Sequence, residues 1–311
     1  MKLKQPLRPR HLKAAIPYVQ ISRFEHWFKN LLILPGVALV VRSQDPAWDW
    51  GAIMSEVGTA LIPICLVSSG NYVINEIMDA PYDALHPHKC RRPVASGRAC
   101  ARWAWFLAFF YYGAGLAVAY GRFNADFFLC LLLFLLIGGI AYNIPPLRWK
   151  EIAFLDVTTE SSNNPIRFLL GWHAFTIEPF PSWILLISYW AFGAFLMSAK
   201  RLSELRHLEN PAIAALYRRS FRFYSEARLL FLTISSALVS LILLGIVLVQ
   251  YRVSLFPIIL LGILFVFWAI LLIYKNGAFP REPEKIWKEP LFLIYVIFAG
   301  LLILRLTMRR F

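Results

Sequence analysis

Two stretches of this chain repeat acidic and amide side chains at helical spacing. In the first, NYVINEIMDAPYD, Asn71, Asn75, Asp79 and Asp83 stand four residues apart. At about 100° per residue, a step of four drifts only about 40° around a helix, so these side chains share one face. Pro81 disfavours helical geometry at Ala80 and is expected to put Asp83 on a bend. Two or three hard oxygens on one face suit Mg²⁺, which takes one or two carboxylates together with the phosphate oxygens of a substrate. The second stretch, LDVTTESSNNPIRF, spaces Asp156, Glu160, Asn163 and Arg167 at i, i+4, i+7 and i+11, a stripe with a cation at its deep end. Two such stripes can hold magnesium around one diphosphate, with Arg167 forked onto its oxygens. A single stripe also has a purely structural reading, in which Asp156 and Glu160 pair with Arg167 or a neighbouring helix. Finding both favours the metal.

Basic residues accompany both stripes. Lys29 and Asn30 sit in RFEHWFKN, Lys89, Arg91 and Arg92 in HPHKCRRPVASG, and Lys200, Arg201 and Arg206 in AKRLSELR. The excess of Lys and Arg in cytoplasmic loops accounts for each of them singly. Beside two sets of carboxylates they form the constellation expected where a pyrophosphate group leaves. Tyr142, just ahead of the second stripe, is a further site residue, whereas His86 and His88 read as solvated loop side chains. Cys65, Cys90, Cys100 and Cys130 show neither CxxC pairing nor a His at metal spacing, so neither zinc nor a disulfide framework is indicated.

The elements that must position these residues are membrane helices. Of 311 residues, 59% are hydrophobic and 16% charged, against about 25% charged in ordinary soluble domains. The 32 Lys and Arg against 18 Asp and Glu give a net charge of +14. Nucleic-acid binding needs such cations clustered on one exposed face, and here they punctuate long apolar runs instead, so no nucleic-acid partner is expected. A bilayer core of about 30 Å needs roughly 20 apolar residues per helix. Nine segments qualify: 28–43, 52–78, 103–121, 125–143, 152–175, 183–200, 227–250, 254–274 and 290–308. With this threading, 25 Lys and Arg fall on one side and 6 on the other, which puts the N-terminus and both stripes on the cytoplasmic side. The expected architecture is an all-α membrane protein, one polytopic domain over 1–311. It has a retained cytoplasmic arm at 1–27, a bundle of about nine transmembrane helices at 28–308, and a cytoplasmic-side catalytic cavity.

These residues resemble the UbiA superfamily of membrane transferases. Its first motif, Asn-Asp-x-x-Asp-x-x-x-Asp, is matched by Asn75, Glu76, Asp79 and Asp83, with Glu replacing Asp at 76. Its second follows a Tyr-x-x-x-x-Leu-Arg stretch, here Tyr142, Leu147 and Arg148, and is matched by Asp156 with Glu160 in place of the last Asp. Within the superfamily the chain is most similar to the decaprenyl-phosphate phosphoribosyltransferases. The shared features are Arg23, Trp27, Lys29 and Asn30; the loop His86, Pro87, Lys89, Arg92, Pro93, Ala95 and Gly97; Lys200, Arg201, Glu204 and Leu205; and Glu282, Pro283 and Glu284. TESSNNPIR is more polar than that branch leads one to expect.

The resemblance implies a multi-pass enzyme of the cell inner membrane that displaces pyrophosphate. Asn75, Asp79, Asp83, Asp156 and Glu160 would hold Mg²⁺, and Lys29, Asn30, Lys89, Arg92, Tyr142, Arg167, Lys200 and Arg201 would bind substrate. The implied partners are the bilayer, a polyprenyl lipid and a diphosphate-bearing co-substrate. The first version moves phosphoribose from phosphoribosyl pyrophosphate to a polyprenyl phosphate. The second moves a polyprenyl group from its diphosphate to an aromatic or other small acceptor. A lipid or solute transporter is the rival from another class, since charges at membrane depth also mark transport paths.

Overall fold

The computed structural model describes residues 15–43, 49–84, 89–175, 180–207 and 219–250, with single positions at 262, 263 and 266. Among the described residues there are helices and no strand. The α-helices are α1 (Ile16–Ser22), α2 (Leu34–Ser43), α3 (Trp50–Asp83), α4 (Ala101–Arg122), α5 (Ala125–Phe134), α6 (Leu155–His173), α7 (Trp183–His207) and α8 (Glu226–Gln250). The chain forms two units, Met1–Trp149 with Ile166–Pro179, and Lys150–Pro165 with Phe180–Phe311. Each is built around its own contacts.

In the first unit, the expected span 28–43 is reorganised. Helical backbone begins at Ile16, breaks at Arg23, whose left-handed φ of 49° caps α1, and continues as a 3-10 segment over Phe24–Ile33 into α2. Pro35 falls at the second position of α2, where the 3-10 segment passes into α-helix. Gly36 of α2 faces the backbone carbonyl of Phe168, and Gly171 of α6 faces that of Ile33, so a Cβ at either position would collide with main chain. Small residues are what let two helices approach this closely.

The long helix α3 opens with Asp49 as its cap, accepting the Ala52 N–H at 3.3 Å. It runs past Pro63 and Pro81 without ending. Helical backbone expected to fail at Ala80 instead continues to Asp83, since Pro81 removes only one hydrogen bond in the final turn and the Ala84 N–H still reaches the Ala80 carbonyl at 3.0 Å. Packed along α3, α4 turns inward Ala104, Ala108, Tyr111, Tyr112, Gly115 and Ala119, a stripe at spacings of three and four. Its opposite face exposes Trp103, Phe106, Phe109 and Phe110. A helix apolar on all sides, small inward and aromatic outward, is made for lipid rather than water.

In the second unit, α7 and α8 pack along each other, and Ser188 and Ser240 exchange hydrogen bonds to each other's carbonyls at 3.0 and 3.1 Å. Val157, Ala194, Leu202, Phe221, Tyr224 and Leu229 form its apolar core.

Among the described residues, five helical stretches are long and apolar enough to cross a membrane: Ile16–Val41, Trp50–Asp83, Ala101–Arg122, Trp183–Arg206 and Glu226–Gln250. Ala125–Ala141 is apolar and shorter. α6 occupies the expected 152–175 segment but is polar from Thr158 to Asn164 and is not among the five. The expected spans at 254–274 and 290–308 lie outside the described residues, apart from positions 262, 263 and 266.

Candidate functional site

The first acidic stripe is a property of one uninterrupted helix. At 34 residues and 1.5 Å per residue, α3 is about 51 Å long, well beyond the ~30 Å of hydrocarbon it needs to cross. Its last turns, which carry Asn75, Asp79 and Asp83, therefore need not be buried in lipid. The stripe's inner member, Asn71, is committed to packing: it accepts from the Tyr112 hydroxyl at 2.8 Å and donates to the Phe134 carbonyl at 3.2 Å. Asn75 donates through Nδ2 to Asn143 Oδ1 at 2.6 Å, which leaves its own Oδ1 for another group. Asn143 is set in place by a π-helical turn, Leu135–Ala141, donating to the carbonyls of Gly138 and Gly139 at 3.0 and 2.9 Å. Such turns redirect side chains where a regular helix cannot.

Every carboxylate at this end of α3 meets an arginine. Arg148 donates to Asp79 Oδ1 at 3.1 Å and to the carbonyls of Met78 and Asn143, while its guanidinium lies 4.8 Å from the Tyr82 ring centroid. Arg92 donates to Asp83 Oδ2 at 2.6 Å. Glu76, buried, meets Arg23 at 3.5 Å and accepts the Val94 N–H at 3.4 Å. Deeper in this unit, Asn30 is fully buried, accepting from Arg167 Nε at 3.1 Å and donating to Cys65 Sγ at 3.3 Å. Arg167 also lies 4.8 Å from the Phe134 ring centroid. Tyr142 is buried just beyond the π-helical turn, and Lys29 and Lys89 are half-buried in 3-10 segments.

The second stripe is organised differently. Asp156, with no exposed surface, takes Arg201 Nε at 2.9 Å and Ser220 Oγ at 3.5 Å on Oδ2. Its Oδ1 takes the Tyr224 hydroxyl at 2.5 Å and the Val157 N–H at 2.9 Å. Arg201 is itself buried and donates to Glu204 at 2.6 Å. The Tyr224 hydroxyl also accepts the Phe154 N–H at 2.7 Å, holding a residue at φ 66° just ahead of α6. Burial, followed by the Asp156 charge, pushes the Tyr224 phenol well above its ordinary pKa. One turn along α6, Glu160 is half-buried and makes no ion pair among the described residues. Lys200 is half-buried on α7.

The structure thus brings Asn75, Asp79, Asp83 and Arg92 to one end of α3, Asn30 to Arg167, and Asp156 to Arg201. Among the described residues no three His, Cys, Asp or Glu side chains are gathered as a metal cluster. The donor set at the end of α3 nonetheless fits Mg²⁺ in kind: hard oxygens from Asn75, Asp79 and Asp83 on a single face, with arginines alongside. His86 and His88 lie outside the described residues. Reasoning from spacing missed the partners Asn143, Arg148, Tyr224 and Arg23. Arg148 had a signal, its place in the stretch after Tyr142, whereas nothing local links Tyr224 to Asp156, 68 residues away.

The sequence profile of the UbiA prenyltransferase family matches residues 31–305. The chain is 30% identical over 230 residues to a decaprenyl-phosphate phosphoribosyltransferase of Mycolicibacterium smegmatis, covering 74% of this chain and 68% of that one. It is 26% identical over 246 residues to the nodulation protein NoeC of Azorhizobium caulinodans, covering 73% and 70%. The fold is similar to that of a UbiA homologue from Archaeoglobus fulgidus solved with GPP and Mg²⁺, with a TM-score of 0.65 at 16% identity, over 92% of this chain and 99% of that one.

Proposed function

The chain belongs to the UbiA prenyltransferase family and is a multi-pass membrane transferase, and from that premise we propose that it moves phosphoribose from phosphoribosyl pyrophosphate to a polyprenyl phosphate, releasing pyrophosphate. The observation that carries the choice of substrates is the 30% identity, over 74% of the chain, to a decaprenyl-phosphate phosphoribosyltransferase. In this reading the protein is one nine-helix domain of the inner membrane, with its N-terminus and catalytic cavity facing the cytoplasm.

Asn75, Asp79 and Asp83 of α3 would supply oxygens that hold Mg²⁺, and Glu160 of α6 is a further candidate ligand, whereas Asp156, expected as one, spends both its oxygens on Arg201, Ser220, Tyr224 and the Val157 amide. The metal, when bound, neutralises charge on the departing pyrophosphate. Lys29, Lys89, Arg92, Arg167, Lys200 and Arg201 serve the phosphates, with Asn30 and Tyr142 fixing positions around them. A guanidinium carries five N–H donors, and Arg92 spends one on Asp83, so it can hold the carboxylate and a phosphate oxygen together. An acceptor that is already an anion needs no base from the protein, so the catalytic work is charge stabilisation and alignment.

Purified protein in lipid with Mg²⁺ should release pyrophosphate from phosphoribosyl pyrophosphate plus polyprenyl phosphate. Release only from a polyprenyl diphosphate plus an aromatic acid would make it a prenyltransferase. Silence with both pairs, alongside Mg²⁺-independent movement of a lipid or solute across the bilayer, would replace the enzyme reading with transport.

A further inference from the structure

Glu76 occupies a position where the family's first motif carries Asp, and its surroundings are unlike those of Asp79 and Asp83. Its side chain is almost fully buried, with 2% exposure. Oε2 meets Arg23 at 3.5 Å and Oε1 accepts the Val94 N–H at 3.4 Å. Arg23 is the left-handed residue between α1 and the 3-10 segment that leads to Lys29 and Asn30. Val94 belongs to the loop that carries Lys89 and Arg92.

That loop is braced by bonds within itself. The Arg92 N–H reaches the Lys89 carbonyl at 2.9 Å, the Ala99 N–H reaches the Pro93 carbonyl at 2.9 Å, and Arg98 donates to the Arg91 carbonyl at 2.6 Å. Among the described residues its hydrogen bonds to other segments include Arg92 to Asp83, Val94 to Glu76, Arg98 to Gln20 at 3.4 Å, and the Cys100 N–H to the Tyr18 hydroxyl at 3.1 Å. A segment closed on itself moves as a body, so loosening one tie displaces Arg92 relative to Asp83.

We propose that Glu76 is a positioning residue and not a metal ligand: its carboxylate clasps Arg23 and the Val94 amide, and so fixes the cations of both cytoplasmic segments over the Asp79 and Asp83 end of α3. This rests on the phosphate-binding role given above to Lys29, Lys89 and Arg92. The extra methylene of Glu over Asp supplies the reach that the clasp requires, which explains a departure from the motif at this position alone within it.

The test uses the full chain in lipid, with Cys100→Ser so that half-buried Cys90 reports on the loop; Cys65 and Cys130 are buried. In Glu76→Gln, maleimide labelling of Cys90 should accelerate on the order of tenfold, as the loop opens locally more often. The donor KM should rise on the order of tenfold through misplacement of the cations, while the Mg²⁺ midpoint stays within about twofold. Glu76→Asp should behave like Glu76→Gln, and Arg23→Gln should reproduce the faster labelling without touching the carboxylate. A raised Mg²⁺ midpoint with unchanged labelling, or full wild-type behaviour in Glu76→Asp, would overturn the proposal in favour of ligation. If the unsubstituted chain turns over neither donor pair, the catalytic reading fails on its own, and the Cys90 labelling still decides whether Glu76 clasps the loop.

Discussion

Asp83 and Asp156 are both buried aspartates that pair with arginine, yet they are held in unlike ways. Asp83 stands in the last turn of α3 with one arginine, which retains most of its donors. Asp156 has no exposed surface and receives four donors, from Arg201, Tyr224, Ser220 and the Val157 amide. The first arrangement leaves Arg92 with donors to spare, as the proposed phosphate and metal binding requires. The second has both oxygens occupied, and it ties α6 to α7 and to the segment ahead of α8 within its unit. Equal spacing in the sequence therefore conceals two kinds of carboxylate, distinguished by how many donors the tertiary structure aims at each.

The largest expected effect comes from breaking the second of these sites. Asp156→Asn takes from buried Arg201 its Asp156 charge and leaves it the pairing with Glu204, and should cost about 3 kcal/mol, read as a lowered unfolding temperature in detergent. Asp79→Asn should do the reverse. Turnover falls by about 10²-fold or more, with little change in unfolding temperature, because Arg148 keeps the Met78 and Asn143 carbonyls as acceptors. Matching thermal losses in the two variants would erase the distinction.

Tyr224→Phe removes one of the four donors to Asp156 and the acceptor for the Phe154 N–H, and should cost about 1–2 kcal/mol. Because folding raises the phenol's pKa, its contribution is fully present below the ordinary tyrosine value of about 10 and is lost as pH climbs beyond it. Comparing unfolding temperatures of the two proteins at neutral and strongly alkaline pH checks that sign: the gap should narrow on the alkaline side. The smallest effect belongs to Arg206→Ala, which cuts an exposed pair with Glu226 and should change stability by less than about 1 kcal/mol. A larger loss there would mean that exposed ion pairs in this unit rival the buried one.

Much of this was legible before any coordinates. The stripe of Asn75, Asp79 and Asp83 follows from helical periodicity alone, and α3 carries it through Pro81. The helices at 101–122, 183–207 and 226–250 follow from long apolar runs, since no other backbone arrangement satisfies its own hydrogen bonds in lipid. The first segment was less legible. Its 3-10 path depends on the Arg23 break and on the close approach of Gly36 and Gly171 to main chain brought in from elsewhere. Likewise, nothing near Glu76 in sequence announces that its partners are Arg23 and Val94 rather than a metal.

The amino-acid sequence by itself determined that the chain is helical, that it resides in a membrane, and that its acidic groups recur at four-residue spacing, because periodicity and hydropathy act locally along the chain. Tertiary structure alone decided which arginine answers each carboxylate, that Asp156 is enclosed by four donors while Asp83 meets Arg92, and that Glu76 reaches a loop. Those outcomes depend on residues tens of positions apart meeting at hydrogen-bonding distance, and packing sets that distance where spacing does not.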